Sequence, residues 1–220
     1  MIAIVDYGTG NLFSLASALE RCNTEYRITS SASEILSASS VIMPGVGAAG
    51  EAMEELRKRG LDIVIPQVRV PLLGICIGMQ LLCSYSEEGA APADSSGRSP
   101  ASLLPKATVS SQMDKIKCLS IFPNGVKKFA SPGIKIPHMG WNTLYSLKTP
   151  LFEGIEGGEH LYFVHSYFPE TGKFTIATSF HGEEFSAALN RDNFYGTQFH
   201  PEKSGAAGER VLKNFISIKL

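Results

Sequence analysis

The chain reads as an α/β protein with a mostly parallel central sheet flanked by helices, followed by an antiparallel, β-rich C-terminal part. Three observations predict this. Short β-branched runs alternate with amphipathic stretches through the first third of the sequence. Glycines stand where strand gives way to helix, around Gly8, Gly45 and Cys76. From Phe122 onward, strand-like runs follow one another with only turns between them.

In order, Ile2 to Asp6 is a β-branched run that ends in the turn Tyr7-Gly8-Thr9-Gly10-Asn11. A helix is expected next, with Leu12, Leu15, Ala16 and Leu19 on one face. Tyr26 to Ile28 and Val41 to Met43 read as strands, and Ser33 to Leu36 between them as a short helix. Pro44-Gly45-Val46-Gly47-Ala48-Ala49-Gly50 has the spacing of a dinucleotide fingerprint. That motif belongs to a first βα unit with an acidic residue about 20 positions on; neither condition holds here. A loop offering backbone N–H groups to a developing anion, or simply a tight turn, fits better. Glu51 to Arg59 is a polar-faced helix, and Leu61 to Gln67 has strand propensity in a position that suggests a helix.

Val70 to Ile75 is an apolar strand, with Cys76 at its corner and a helix beginning after it; Gly74 and Gly78 flank the cysteine at two residues on either side. Such an elbow strains the corner residue, and glycine neighbours remove the clashes. The sulfur then sits at a helix N-terminus, whose dipole favours thiolate. A buried core cysteine is the competing reading.

Gly89 to Ser111 is dominated by Ala, Ser and Pro and reads as a surface excursion with weak structure. Pro137-His138-Met139-Gly140-Trp141-Asn142 holds the single tryptophan in a run of turn formers, and is expected to be a loop whose Met139 and Trp141 are either local core or, the favoured reading, a protein-binding surface. Leu161 to Phe168 reads as one buried strand. Phe174 to Phe180 and Phe185 to Leu189 form a hairpin, Phe194 to Phe199 another strand, and Ala207 to Ile218 a closing amphipathic helix.

Composition narrows the function. The 220 residues suit one domain spanning 1–220; 44% hydrophobic and 19% charged residues are ordinary for a globular protein. A net charge of -1 gives no footprint for nucleic acid or anionic membrane, and no apolar run approaches membrane-spanning length. The opening residues read as a strand rather than a signal peptide. Cys22, Cys76, Cys83 and Cys118 have no metal-binding spacing, so neither metal nor cofactor is expected. A reduced, cytoplasmic enzyme fits best.

A nucleophilic Cys76 needs a base, and five histidines compete. His138, His160 and His181 stand beside turn residues, while His165 follows a strand and suits the lining of a pocket. His200 ends a strand, and Glu202 follows across Pro201, so imidazole and carboxylate can project to one side. Cys76, His200 and Glu202 are the candidate triad.

With these residues the chain resembles the class I, triad-type glutamine amidotransferases, through Gly74-Ile75-Cys76-Ile77-Gly78-Met79-Gln80 and Gln198-Phe199-His200-Pro201-Glu202. The stretches Asp6 to Asn11, Pro44 to Gly47, Pro137 to Asn142, Tyr162 to Tyr167 and Gly196 to Gly205 are similar to the glutaminase subunits of imidazole glycerol phosphate synthase. The resemblance spans the chain except for an insertion at about 90–116, and Ile77 stands where that family usually has leucine. It implies a flavodoxin-like fold and hydrolysis of glutamine to glutamate and ammonia. It also implies an oxyanion hole from Ile77 and the Gly45–Val46 loop. Asn11, Val46, Gln80, Glu88, His165, Ser166 and Tyr167 would surround glutamine, with Glu88 facing its α-ammonium. The implied partner is a (β/α)8-barrel cyclase in a heterodimer, near Met139, Trp141, Asn142 and Lys203. That cyclase would use the ammonia to make imidazole glycerol phosphate and AICAR in histidine biosynthesis. A stand-alone cysteine hydrolase, or another class I amidotransferase of the same fold, is the alternative.

Overall fold

The computed structural model describes residues 1–8, 10–88 and 115–219. The expected excursion at Gly89 to Ser111, and most of the insertion at about 90–116, lie outside the described residues. The N-terminal half alternates as expected: β1 (Ile2–Val5), α1 (Leu12–Arg21), β2 (Tyr26–Thr29), α2 (Ala32–Ser37), β3 (Ser40–Met43), α3 (Ala49–Lys58), α4 (Leu61–Val64), β4 (Leu72–Ile75) and α5 (Ile77–Leu82). The ambiguous segment is helical, α4 running into a 3-10 turn at Ile65–Gln67. Two short strands follow, β5 (Tyr85–Ser86) and β6 (Ile116–Lys117). The rest comprises β7 (Gly125–Lys128), β8 (His138–Thr143), β9 (His160–His165), β10 (Tyr167–Pro169), β11 (Thr175–Phe180), β12 (Glu184–Arg191), β13 (Phe194–Thr197) and α6 (Gly205–Ser217).

The main sheet runs β11-β12-β13-β4-β3-β1-β2. Strands β13, β4, β3, β1 and β2 pair in parallel; β11 and β12 add an antiparallel edge. The parallel strands β1, β3 and β4 are buried at every position, as strands covered on both faces must be. Strands β10-β7-β5-β6 form a second sheet, and β8-β9 a separate antiparallel ribbon.

Two readings of the C-terminal half are corrected. The Pro137–Asn142 stretch is not a loop: from His138 it is strand β8, paired residue for residue with β9 from His138↔His165 to Thr143↔His160. Turn-forming residue types were outweighed by this partner strand and by Gly140, whose φ of +132° carries the chain through. The run Leu161 to Phe168 is two strands rather than one, broken at Ser166, where β9 leaves the ribbon and β10 joins the second sheet.

The topology sets the site. Strands β4 and β13 are parallel neighbours in register, with Thr197 opposite Ile75. Both chains run off the same edge of the sheet, so the residues that follow, Cys76 on one side and Gln198 to His200 on the other, emerge together.

Candidate active site

Cys76 holds φ +54° and ψ −110°, a strained conformation for a residue with a side chain. Its surroundings leave no alternative path. A Cβ on Gly78 would collide with the Met43 carbonyl oxygen, and one on Gly74 would lie 2.7 Å from the Gly78 backbone. The Cys76 N–H donates to the Thr197 carbonyl at 2.7 Å, which fastens the elbow to β13. The sulfur is largely buried, accepts from the Gln198 side chain at 3.6 Å and lies 3.9 Å from the Val164 carbonyl. Helix α5 has only six residues, so few aligned peptide dipoles stand behind the sulfur, and direct donors weigh more than the expected helix field.

Across from it, His200 is almost fully buried, and its Nδ1 lies 2.8 Å from Glu202 Oε1. A 3-10 turn over Pro201–Lys203 brings the carboxylate back beneath the ring. Ser204 locks this turn: its Oγ donates to the His200 carbonyl at 2.6 Å and accepts the Tyr162 N–H at 2.9 Å. With Nδ1 taken by Glu202, Nε2 of His200 is the ring nitrogen left to serve the Cys76 sulfur. Burial pushes the imidazole pKa down, but the negative charge of Cys76 and the bond to Glu202 outweigh it and raise it to about 10.

The other histidines behave differently. His138 and His165 are buried in an aromatic cluster with Phe129, Phe163 and Phe185, joined by a 2.9 Å bond from His138 Nδ1 to His165 Nε2. His181 stacks on His138 at 4.3 Å. Burial above all holds His138 near pKa 4 and His165 near 3, so both are neutral at pH 7. Of the three buried histidines, only His200 has an orienting carboxylate.

Cys76, Ile77 and His200 open into a cavity of about 280 Å³ that is also lined by Gln80, Glu88, the segment Val164 to Tyr167, Val46 and Gly47. Gln80, Glu88, His165, Ser166 and Tyr167, expected around glutamine, therefore share one pocket. Two buried acceptors there lack partners, Gln80 Oε1 and Glu88 Oε2. Desolvation lifts the Glu88 pKa to about 7 against one backbone N–H, from Ala49.

Three expected residues sit elsewhere. Asn11 caps α1, its Oδ1 accepting the Ser14 N–H at 3.2 Å, and does not line the pocket. Gly45 is packed beneath Val46, where a Cβ would lie 2.5 Å from the Tyr7 hydroxyl. Asn142 bonds inward to His138 Nε2 and to the Phe180 carbonyl. Met139 and Trp141 are exposed on the outer face of the ribbon. Trp141 meets Tyr162 edge-on, and the Lys203 ammonium lies 5.9 Å from the same Tyr162 ring. Sequence reasoning passed over Gln198, fully buried against the sulfur; a polar residue just before the His-Pro-Glu run was the available signal.

Among the described residues no group of His, Cys, Asp or Glu is placed to hold a metal ion, and no helix is long and apolar enough to cross a membrane. In fold the chain resembles a glutamine amidotransferase from Thermotoga maritima: TM-score 0.59 and 15% identity, over 98% of this chain and 80% of that one. It is 44% identical to the imidazole glycerol phosphate synthase subunit HisH of Bacteroides fragilis (strain YCH46), over 99% of both chains. To the HisH protein of Vibrio vulnificus (strain CMCP6) it is 39% identical, over 99% of this chain and 98% of that one. The profile of the family Glutamine amidotransferase class-I matches residues 3–218. The chain thus belongs to the class-I glutamine amidotransferases and, within them, to the HisH family of glutaminase subunits of imidazole glycerol phosphate synthase.

Proposed function

We propose that Cys76, His200 and Glu202 are the catalytic triad of this glutaminase, acting within a single amidotransferase domain over residues 1–220. The observation that carries the reading is the imidazole of His200, held by Glu202 at 2.8 Å and raised in pKa by the charge of Cys76 beside it. The Cys76 thiolate attacks the side-chain amide carbon of glutamine. The oxygen becomes an oxyanion, facing the Ile77 N–H and a peptide N–H of the Gly45–Val46 loop. The His200 imidazolium gives its proton to the amide nitrogen, the C–N bond breaks, and ammonia leaves a γ-glutamyl thioester. Water then attacks the thioester as the neutral imidazole takes its proton; glutamate departs and the sulfur is restored.

Substrate recognition follows from the unpaired acceptors. A ligand ammonium satisfies both Glu88 Oε2 and Gln80 Oε1, and the polar segment His165, Ser166 and Tyr167 faces the rest of an amino acid.

We further propose a heterodimer with a (β/α)8-barrel cyclase, in the cytoplasm, that receives ammonia without release to water. The HisH relatives are named as subunits of a synthase, and ammonia released to bulk water would protonate and lose its nucleophilicity. Met139 and Trp141, with Lys203 beside them and Asn142 bracing the strand, form the docking face.

The test is glutamate release by the complex. Cys76→Ala abolishes it in a folded protein, and His200→Ala lowers it by about 10²–10⁴-fold. Glutamate release retained by Cys76→Ala overturns the nucleophile; a loss under about tenfold in His200→Ala overturns the base.

A further inference from the structure

Gln198 is wholly buried where β13 ends, and both ends of its amide are engaged. Its Nε2 donates to Cys76 Sγ at 3.6 Å, and its Oε1 accepts from Gln80 Nε2 at 3.0 Å. The same Gln80 nitrogen donates to the Tyr167 carbonyl, also at 3.0 Å. This short chain has a fixed direction, set at its far end. A backbone carbonyl can only accept, so Gln80 must turn its NH₂ toward Tyr167. That same NH₂ faces Gln198, which must present oxygen to it. The Gln198 nitrogen is left to face the sulfur. Turning either amide over would set like groups against each other in a buried place, at the cost of an unsatisfied donor or acceptor. The main chain reinforces the arrangement, with the Gln198 N–H bound to the Ala187 carbonyl at 2.8 Å.

We propose that Gln198 is a further catalytic residue of the amide hydrolysis: its side-chain NH₂ is a pre-oriented donor to the Cys76 sulfur that favours thiolate over thiol. The inference rests on Cys76 being the nucleophile. An N–H aimed at a charged acceptor is about twice as strong as one aimed at a neutral acceptor, so a fixed donor there favours the ionised sulfur. The donor also links nucleophile to substrate pocket. Gln80 and Tyr167, which set its direction, both line the cavity that would hold glutamine.

The experiment is alkylation of the full-length chain by iodoacetamide, followed from acid to alkaline pH, with peptide mapping to separate Cys76 from Cys22, Cys83 and Cys118. Gln198→Met replaces the amide with a neutral side chain of similar length and no donor. Gln198→Glu keeps an acceptor for Gln80 but turns an oxygen toward the sulfur, so it retains the buried contact if the Met variant does not fold. In each folded variant, Cys76 alkylation at neutral pH falls by about tenfold to a hundredfold, its rate–pH profile moves to higher pH, and kcat for glutamine hydrolysis falls by a similar factor. A variant with unchanged thermal unfolding whose alkylation profile superimposes on that of the parent overturns the proposal. Cys76→Ser is the separate control: if it still hydrolyses glutamine, the nucleophile assignment fails, independently of Gln198.

Discussion

The elbow at Cys76 and the ribbon β8–β9 meet at the same pocket, yet they are built on opposite terms. At the elbow each neighbouring backbone is within a few ångströms of the next, and α5 is buried at all six positions. In the ribbon the two strands pair only with each other; the outer face carries exposed Met139 and Trp141, and the inner face buried His138 and His165. The first region holds the proposed nucleophile in a tightly packed place; the second has an exposed apolar surface that another protein can cover. On the proposed triad and docking face, chemistry and recognition fall in separate layers only one strand apart. Met139 pairs with Val164, whose carbonyl faces the Cys76 sulfur.

The most severe challenge to this contrast is one methyl group added at the elbow. Gly78→Ala drives a carbon into the Met43 carbonyl oxygen. The backbone must shift, at a cost of about 3 kcal/mol or more, which lowers Tm by roughly 6–12 °C. Glutaminase activity is lost with it, because the displaced residues carry Cys76 and Ile77. Calorimetry and glutamate release check both; a Tm within about 2 °C of the parent would mean that the elbow yields after all.

The ribbon should respond in the opposite sense. Trp141→Ala changes stability by no more than about 0.5 kcal/mol, since the side chain is already exposed. It weakens binding to the cyclase by about 2 kcal/mol, roughly 30-fold in Kd, as loss of an aromatic anchor does. Titration calorimetry reads the affinity. A Kd unchanged by the substitution would move the docking face away from this ribbon.

A smaller effect is expected inside the pocket, between the two regions. Burial raises the Glu88 pKa from 4.5 to about 7, so this carboxylate is mostly charged only above neutrality. If it receives the glutamine ammonium, KM falls about tenfold between pH 6 and pH 8, and Glu88→Gln flattens that slope. The linkage sign is the reverse of the usual carboxylate. The folded-state pKa lies above the unfolded value, so this group's stabilisation is present below about pH 4.5 and is lost as pH rises through about 7. Denaturant titrations of the parent and of Glu88→Gln across that window would separate binding from stability.

What was legible in the sequence follows the same division. The apolar runs of β1, β3 and β4 and the glycines around Cys76 state their structure locally, because a fully covered strand needs apolar residues and an elbow needs glycine. His200 and Glu202 were legible for the same reason, being two positions apart across a proline. The ribbon was not. Met139, Gly140 and Asn142 read as a loop because β8 owes its strand to β9, a partner that no local pattern reveals. The two-residue strands β5 and β6 are shorter than any period can mark. Gln198 and Gln80 are 118 positions apart, and the His138–His165 pair 27 apart, so their bonds exist only after folding.

The pairing of β8 with β9 limits how a partner could speak to the pocket. Side chains on a strand alternate sides with a period of two, so sliding the ribbon by a single step would turn Met139 inward and expel His138. That step would break the bond between His138 and His165 and drive a neutral, buried ring into solvent. Sliding is therefore all or nothing on this ribbon, and any graded message from its outer surface must travel as a tilt or bend of the two strands together.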